Sequence, residues 1–579
     1  MSLFSFVRRH GTTWRHPAVG RRPLGFRPGL EPLESRTVPS TLVTNLNDSG
    51  PGSLRAAVAA ADATSGAVIH FAPFLHGTIK LTTGQLNLTS NMTIAGPGAF
   101  FLTVSGNNSS RVFDVSNGAT VTISGLTIAN GSAMSTTDPS LQGGGGVLNE
   151  PGATVYITND VFRNNRALVV SGALENAGGS SITGPDPATA IISNTTFIGN
   201  QAIGSVNGTT NPFMLFDGFG PGNGTAEGGA IDDDGILTLT DSTFFNNQAI
   251  GVPGSDGANA SGHGGGLAVD GTATISDSYF IGNQALGASV PAGFGSAQGL
   301  GGGVVVFGTA TISGSAFTGN RAVGGGGGTA AANNFAFVGA GGGVLALSGA
   351  TLTVSDSGFY LNQAVGGAGG SGGGGGLAVG GGLDAHDHTS LTLNGSVFAG
   401  NAAIGGAGGS GADGGDGIGG GLSVDKTSTA TISDVALLFN LALGGTGGAG
   451  ANGGNGDGGG IAVGSRSLYD GPDASSVTLS NATIAGNLAL GGTGGMGGNG
   501  GNGFGGGVVV GGTQGTATPS LAVTDSTITA NTADGGTAGL GGTAGLGIGG
   551  GVYDLGAFTE VGTLIAGNHA STSNDNIFP

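Results

Sequence analysis

Apolar and polar residues alternate in short runs along most of the chain, and the same runs return at a nearly constant interval. A typical unit opens with three glycines and a short apolar alternation, as in Leu267 and Val269, and a second alternation follows. The triplets recur at intervals of 37 to 47 residues, beginning at Gly264, Gly301, Gly341, Gly380, Gly419, Gly458, Gly505 and Gly549. A period of this length predicts an array of stacked units.

Four positions of the second alternation keep their residue type through ten units. In one unit they are Ile275, Phe280, Asn283 and Ala285, so an aliphatic residue, an aromatic or aliphatic residue, an asparagine and an alanine follow in fixed order. Because side chains alternate between the two faces of a strand, these positions should form internal columns in a solenoid. We expect the asparagine amides to bond from coil to coil at a corner.

The pattern predicts an all-β fold, a single-stranded parallel β-helix with glycine-rich lateral loops and a short N-terminal capping helix. In that helix, Ser53 is the expected N-cap, and Leu54, Val58 and Ala61 share one face. Three regions are predicted. They are a disordered basic leader at 1–40, a cap with the first coils at 41–130, and the repeat array at 131–579.

Two segments resemble known families. Gly228–Ile231, with the Phe-x-x-Asn that follows in each unit, resembles the repeat of polymorphic outer-membrane proteins over about residues 120–570. This resemblance implies a right-handed parallel β-helix of the pectin-lyase type. Autotransporter members carry a C-terminal translocator, which we do not expect here because the repeats run almost to Pro579. Leu30–Ser40 resembles a leader segment of large planctomycete repeat proteins, which implies export to the cell surface or outer membrane, or secretion.

Composition narrows the classes of partner. The chain has 131 glycines, no cysteine and a net charge of −19, and its charge is divided unevenly. Residues 1–40 carry +5 and the remainder carries −24. An acidic body argues against nucleic acid or an anionic membrane as a partner, but it permits divalent cations and neutral glycans. No apolar run is long enough to predict a transmembrane segment.

The glycine-rich stretches between units predict either an ordered layer of extended polyglycine beside the helix or mobile loops. Residues 408–413 match the start of a calcium-binding nonapeptide, and Asp413, Asp416 and Asp457 lie in similar glycine-rich settings. These aspartates are candidate calcium ligands, and solvated turn residues are the alternative. Calcium is the only cofactor that the sequence suggests.

Two clusters are candidates for chemistry on a strand. Asp232, Asp233 and Asp234 could supply paired carboxylates for glycoside hydrolysis, with Asp232 and Asp234 on one side of the strand. Asp384, His386 and His388 could place three metal ligands on one face. Surface variation on the repeat is the alternative for both clusters.

These observations favour a non-catalytic exported or cell-surface protein with an adhesive or envelope role. Its expected partner is a surface or matrix polysaccharide or a protein. The first alternative is a polysaccharide lyase or glycoside hydrolase on the same fold, although few basic residues are available as a lyase base. A calcium-dependent binding module is the second alternative.

Overall fold

The structure of the chain is a computed structural model that describes residues 40–135, 143–178, 186–206, 224–253, 260–291, 297–329, 335–464, 473–511 and 517–579. The predicted leader at 1–40 lies outside these residues, apart from residue 40. Throughout the described residues, each strand pairs in parallel with strands one coil away, which builds five long sheets. The fold is therefore a parallel β-helix, and the predicted class is confirmed.

Sheets 1 to 4 are numbered in the order in which one coil passes through them, and sheet 5 precedes the glycine triplet. Sheet 1 contains Leu86–Leu88, Phe113–Val115, Val147–Asn149, Leu174–Asn176, Ile231–Asp233, Leu267–Val269, Val304–Val306, Val344–Ala346, Leu383–Ala385, Leu422–Val424, Ile461–Val463, Val508–Val510, Val552–Asp554 and Ile577–Phe578. Sheet 2 contains Ser40–Val43, Ala67–Phe71, Met92–Ala95, Thr120–Ser124, Thr154–Thr158, Thr189–Ser193, Ile236–Thr240, Thr272–Ser276, Thr309–Ser313, Thr351–Ser355, Ser390–Asn394, Thr429–Ser433, Ser476–Ser480, Ser520–Thr524 and Ala557–Val561.

Sheets 3 and 4 complete the coil, and sheet 5 lies outside it. Sheet 3 contains Gly77–Lys80, Leu102–Ser105, Thr127–Ala129, Val161–Arg163, Thr196–Ile198, Thr243–Phe245, Tyr279–Ile281, Ala316–Thr318, Gly358–Tyr360, Val397–Ala399, Ala436–Leu438, Thr483–Ala485, Thr527–Thr529 and Leu564–Ala566. Sheet 4 contains Ser132–Ala133, Arg166–Leu168, Gln201–Ile203, Gln248–Ile250, Gln284–Leu286, Arg321–Val323, Gln363–Val365, Ala402–Ile404, Leu441–Leu443, Leu488–Leu490, Thr532–Asp534 and His569–Ala570. Sheet 5 contains Ala226–Glu227, Gly262–His263, Gly299–Leu300, Gly339–Ala340, Ala378–Val379, Gly417–Ile418, Gly456–Asp457, Gly503–Phe504 and Gly547–Ile548.

Helix α1, Leu54–Asp62, packs against the first strands of sheets 1 and 2. Ser53 caps it by accepting a hydrogen bond from the backbone N–H of Ala56. The predicted face is buried, and Ala57 joins it. A short 3-10 helix occupies Phe335–Phe337. Helix α1 therefore covers the apolar strand ends that the first coil would otherwise expose.

The interior consists of continuous columns of identical or similar side chains. Ile275 pairs with Ile312, and Phe280 pairs with Phe317, in the register that the sequence predicts. Seven phenylalanine rings stack with centroid separations between 4.4 and 4.9 Å: Phe162, Phe197, Phe244, Phe280, Phe317, Phe359 and Phe398. Similar side chains stacked at the coil pitch bury apolar surface that no single coil could bury alone.

The asparagines form the predicted ladder at a corner. Asn320 Nδ2 donates to Asn362 Oδ1 at 3.0 Å and to the carbonyl oxygen of Phe280 at 2.8 Å. Its Oδ1 accepts from the backbone N–H and the Nδ2 of Asn283. The same bonds link successive asparagines from Asn165 to Asn568. Each buried amide therefore satisfies backbone groups that the turn leaves unpaired.

The glycine-rich stretches form an ordered layer outside sheet 4. In the arm at 405–417, every third N–H, beginning with Gly405 and Gly408, donates to the arm of the next coil. A three-residue period is that of an extended polyglycine helix. A Cβ on Gly454 would lie 2.0 Å from the carbonyl oxygen of Gly415, so the arms pack too closely for any side chain there. Of the two alternatives, the ordered layer is the one found.

Candidate ligand-binding sites

The outer face of sheet 1 carries two groups of buried charged side chains. From Ile231–Asp233 to Val552–Asp554, the middle residue of each sheet 1 strand points away from the interior and faces the second residue of a sheet 5 strand. In several coils this contact is apolar, as between Leu300 and Val305. It becomes strongly polar at two places, and both hold residues that the sequence singled out.

The first place is a carboxylate cluster of five side chains, Glu175, Glu227, Asp232, Asp234 and Asp270. Neighbouring coils bring them together, because Glu175 pairs in register with Asp232 on adjacent strands of sheet 1. Oxygen atoms of Glu175, Asp232 and Asp234 lie within 4.8 Å of one another, and so do those of Glu227, Asp232 and Asp270. The prediction that Asp232 and Asp234 share one side is borne out by this arrangement.

Burial dominates the electrostatics of this cluster. Both Glu175 and Asp232 are 1% exposed. Burial raises the pKa of Glu175 to about 7, against the lowering effects of a hydrogen bond from Ser171 and the charge of Arg111. Burial also raises the pKa of Asp232 well above its ordinary value, and the four other carboxylates raise it further.

Asp233 lies on the opposite side of its strand, inside the helix. Its Oδ1 accepts a hydrogen bond of 2.6 Å from Asn176 Nδ2, which in turn belongs to an internal column with Asn149. Burial raises the pKa of Asp233 to about 7. Its position inside the coil separates it from the other two aspartates and from any ligand on the outer face.

The second polar place contains Asp384, His386 and Asp425. His386 Nδ1 lies 2.6 Å from Asp425 Oδ1, and ligand atoms of all three residues lie within 4.8 Å of one another. The two carboxylates outweigh the effect of burial and raise the pKa of His386 to about 9, so the imidazole is a cation at neutral pH. His388 points elsewhere, with 69% of its side chain exposed beside Asp387. Thus Asp425 of the next coil, rather than His388, completes the group.

The glycine arms form a third site, the amide groove. Two columns of side chains border a glycine floor, and they begin at Asp413 and Asp416. Asp413 Oδ1 accepts from the backbone N–H of Asn452, whose Oδ1 accepts from that of Asn499. The parallel column runs through Asn455 and Asn502. The groove has a volume of about 510 Å³.

Amide donors line this groove. Among the described residues, no hydrogen bond is formed by the Nδ2 groups of Asn452, Asn455, Asn499 and Asn502, and these side chains are exposed or half-buried. The two columns are three residues apart, which places them on one side of a three-fold extended helix. The predicted calcium candidates Asp413 and Asp416 are thus the first members of hydrogen-bonded columns. Asp457 lies apart, buried in sheet 5.

A pocket of about 630 Å³ lies beside the first coils, and the sequence did not reveal it. Neutral side chains such as Gln85 and Asn87 line it, with the guanidinium of Arg111 at its buried edge. Arg111 Nη2 donates to the carbonyl oxygen of Gly143, and Nη1 donates to Gln85 Oε1. The sequence signal was weak, because these coils lack the glycine triplet that marks the later units.

No protein-family model matches the chain, and no curated protein matches it. Among solved structures it is similar to tailspike protein 3 of bacteriophage CBA120, with 13% identity, 75% of this chain and 56% of that one covered, and a TM-score of 0.32. It is also similar to the catalytic unit of an α-1,3-glucanase from Streptomyces thermodiastaticus, with 12% identity, coverage of 75% and 66%, and a TM-score of 0.29.

A third similar structure is the A-module of a mannuronan C-5 epimerase from Azotobacter vinelandii, with 10% identity, coverage of 90% and 97%, and a TM-score of 0.26. The chain spans just over half of the tailspike and about two thirds of the glucanase. Likeness this weak carries no information on substrate or activity. Within the described residues, no helix is long and apolar enough to cross a membrane.

Proposed function

We propose that this protein is an exported, non-catalytic β-helix that binds neutral polysaccharide at or near the cell surface. The observation that carries the proposal is the amide groove. Its Asn452, Asn455, Asn499 and Asn502 side chains repeat at the coil pitch of ~4.8 Å and present unpaired N–H donors beside a floor without side chains. A linear glycan offers hydroxyl acceptors in a comparable repeating row.

The charge of the groove favours a neutral ligand. Its donors are uncharged amides, while the only carboxylates among its lining residues, Asp413 and Asp416, lie at one end. An acidic polysaccharide would meet no basic side chain there, and the chain as a whole is acidic. Several weak and equivalent contacts in a row would give multivalent binding.

The burial of the carboxylates supports a role without catalysis. A glycosidase needs two carboxyl groups that reach the scissile bond, roughly 5–9.5 Å apart. Glu175 and Asp232 are each 1% exposed, and their oxygens lie within 4.8 Å of each other. A polysaccharide cannot contact them unless the contact with sheet 5 opens.

The test uses the full chain and two isosteric variants. Asn452→Asp and Asn499→Asp keep the Oδ1 acceptor of the column, as Asp413 already does, but replace an amide donor with an anionic oxygen. We expect each to weaken binding to neutral xylan, mannan or dextran by about tenfold, with little change in melting temperature. Asn394→Asp, on the exposed face of sheet 2, is the matched control and should bind as the parent does.

Three outcomes would overturn the proposal. One is equal binding by the parent and both groove variants, and another is stronger binding to polygalacturonate than to the neutral glycans. The third is release of reducing or unsaturated ends by the parent that is lost in Asp232→Asn, which would favour a polysaccharide-cleaving enzyme instead. Fractionation of native cells tests the proposed location separately.

A further inference from the structure

The carboxylate cluster on sheet 1 contains more negative charge than its protein surroundings can compensate. Three successive coils contribute Glu175, then Glu227, Asp232 and Asp234, and then Asp270. The two groups of three share Asp232, whose oxygens lie within 4.8 Å of both sets of neighbours. Such an arrangement differs from an ordinary acidic surface, because its central members are buried.

Asp232 has no hydrogen-bond partner for either carboxylate oxygen, although only 1% of the residue is exposed. Glu175 Oε1 is also unpaired, while its Oε2 accepts from Ser171 Oγ at 2.7 Å. Buried polar atoms are nearly always paired, and an unpaired buried carboxylate is strongly destabilising. The oxygens of Asp232 point into the space that the other carboxylates surround.

The basic groups nearby are engaged elsewhere or reach only the edge. Arg111 donates to the carbonyl oxygens of Gly143 and Gly144. His263 Nδ1 lies 3.1 Å from Glu227 Oε1, on the sheet 5 side of the cluster. Within the described residues, neither of these side chains forms a hydrogen bond with Asp232. By contrast, the group of Asp384 and Asp425 contains its own cation, His386.

We propose that the carboxylate cluster binds a hard divalent cation, of which calcium is the expected one, with Asp232 as the shared ligand. The donor set consists of carboxylate oxygens from several coils, which is the ligand chemistry that calcium prefers. Asp234 and Asp270 are half-buried, so a hydrated ion can approach from their side. A bound ion would link neighbouring coils through Asp232 and offset two of the negative charges of the cluster.

The site is distinct from the amide groove, so the inference is independent of glycan binding. It also differs from the calcium candidates that the sequence suggested, because Asp413 and Asp416 lie on the arms. The cluster could not be found from a nonapeptide motif, since its ligands are separated by whole coils.

The experiment titrates the chelator-treated full chain with CaCl₂ by calorimetry and repeats the thermal melt with CaCl₂, MgCl₂ and ZnCl₂. We expect saturable calcium binding, a higher melting temperature in calcium, and a smaller effect of magnesium, which tolerates crowded carboxylate sites less well. Asp232→Asn should weaken calcium binding by at least about tenfold and remove most of the calcium-dependent rise in melting temperature.

Asp384→Asn is the matched control, because Asp384 is equally buried, occupies the same position on sheet 1 and also has no partner for either oxygen. It should bind calcium as the parent does. Asp270→Asn changes a half-buried ligand at the edge of the cluster. It tests the site even if Asp232→Asn fails to fold, and it should show a smaller loss of affinity for calcium. Absence of saturable calcium binding by the parent, or equal binding by Asp232→Asn and the parent, would overturn the proposal.

Discussion

The inner and outer faces of sheet 1 follow different rules. Inward positions such as Leu267, Val304 and Val344 keep one character through successive coils, and each is fully buried. The outward positions change from carboxylates at Glu175 and Asp232 to aliphatic residues and then to Asp384. Repetition along a column therefore marks a role in stability, and departure from it marks a position where packing between coils does not fix the residue type.

The difference has a physical cause. Most inward side chains have similar neighbours above and below, so a change of size or polarity disturbs two further coils. An outward side chain of sheet 1 meets sheet 5, whose residues differ from coil to coil. A polar side chain can replace an apolar one at an outward position if the facing residue is also polar, as Glu227 is beside Asp232.

The largest effect is expected from a charge placed in an inner column. Ile275 is fully buried between Leu239 and Ile312, so Ile275→Asp should lower the free energy of unfolding by ~4 kcal/mol or more. Thr274 is exposed on the same strand, and Thr274→Asp should change the free energy of unfolding by less than about 0.5 kcal/mol. Chemical denaturation measures both values, and similar losses would show that the two faces do not differ as described.

A smaller loss is expected from removing one member of the amide ladder. Asn320→Leu fills a similar volume but leaves the N–H and Nδ2 of Asn283 and the carbonyl oxygen of Phe280 without their partner. Unpaired buried groups should lower the free energy of unfolding by about 3 kcal/mol. Asn394→Leu removes an exposed amide and should have almost no effect on the denaturation midpoint. A ladder that contributes nothing would give the same midpoint for both variants.

The sequence predicted the inner columns well, because each depends on local alternation that recurs in register. Ile275, Phe280, Asn283 and Ala285 all occupy the positions that the pattern assigned. The cap helix was also recognisable, since Ser53 and its apolar face are local signals. The ordering of the glycine arms was left open, because polyglycine forms a layer only when neighbouring arms supply the hydrogen bonds.

Candidate site residues were grouped from the sequence only where they are close in it. Asp232 and Asp234 were singled out together, as were Asp384 and His386, and the structure brings oxygen or nitrogen atoms of each pair within 4.8 Å. Glu175 was missed, because insertions of different length separate it from the equivalent position in the next coil. His388 was grouped with His386 on the assumption that one strand continues, but the strand Leu383–Ala385 ends before both histidines. Contacts between coils require a register that spacing alone does not give.

The smallest effect that we predict depends on pH. Asp160 occupies a buried position where later coils have a hydroxyl, such as Ser242 and Ser278, and its Oδ1 accepts from the backbone N–H of Leu126 at 2.6 Å. Burial raises the pKa of Asp160 to about 7, against the lowering effect of hydrogen bonds from the backbone. Between its unfolded pKa near ~4 and that value, the folded state keeps a proton that the unfolded state releases, so its contribution to stability falls as the pH rises through this window.

Asp160→Asn retains the acceptor and removes the titration. We therefore expect the variant to be more stable than the parent by about 2 kcal/mol at pH 8 and nearly equal to it at pH 4. Asp434→Asn, at an exposed turn, is the control substitution and is measured in the same way. Denaturation curves at the two pH values provide the measurement. If the difference in stability between Asp160→Asn and the parent is the same at both pH values, Asp160 is as well solvated as a surface carboxylate. In that case the contrast between the repeated inner columns and the positions that depart from them does not extend to this corner of the coil.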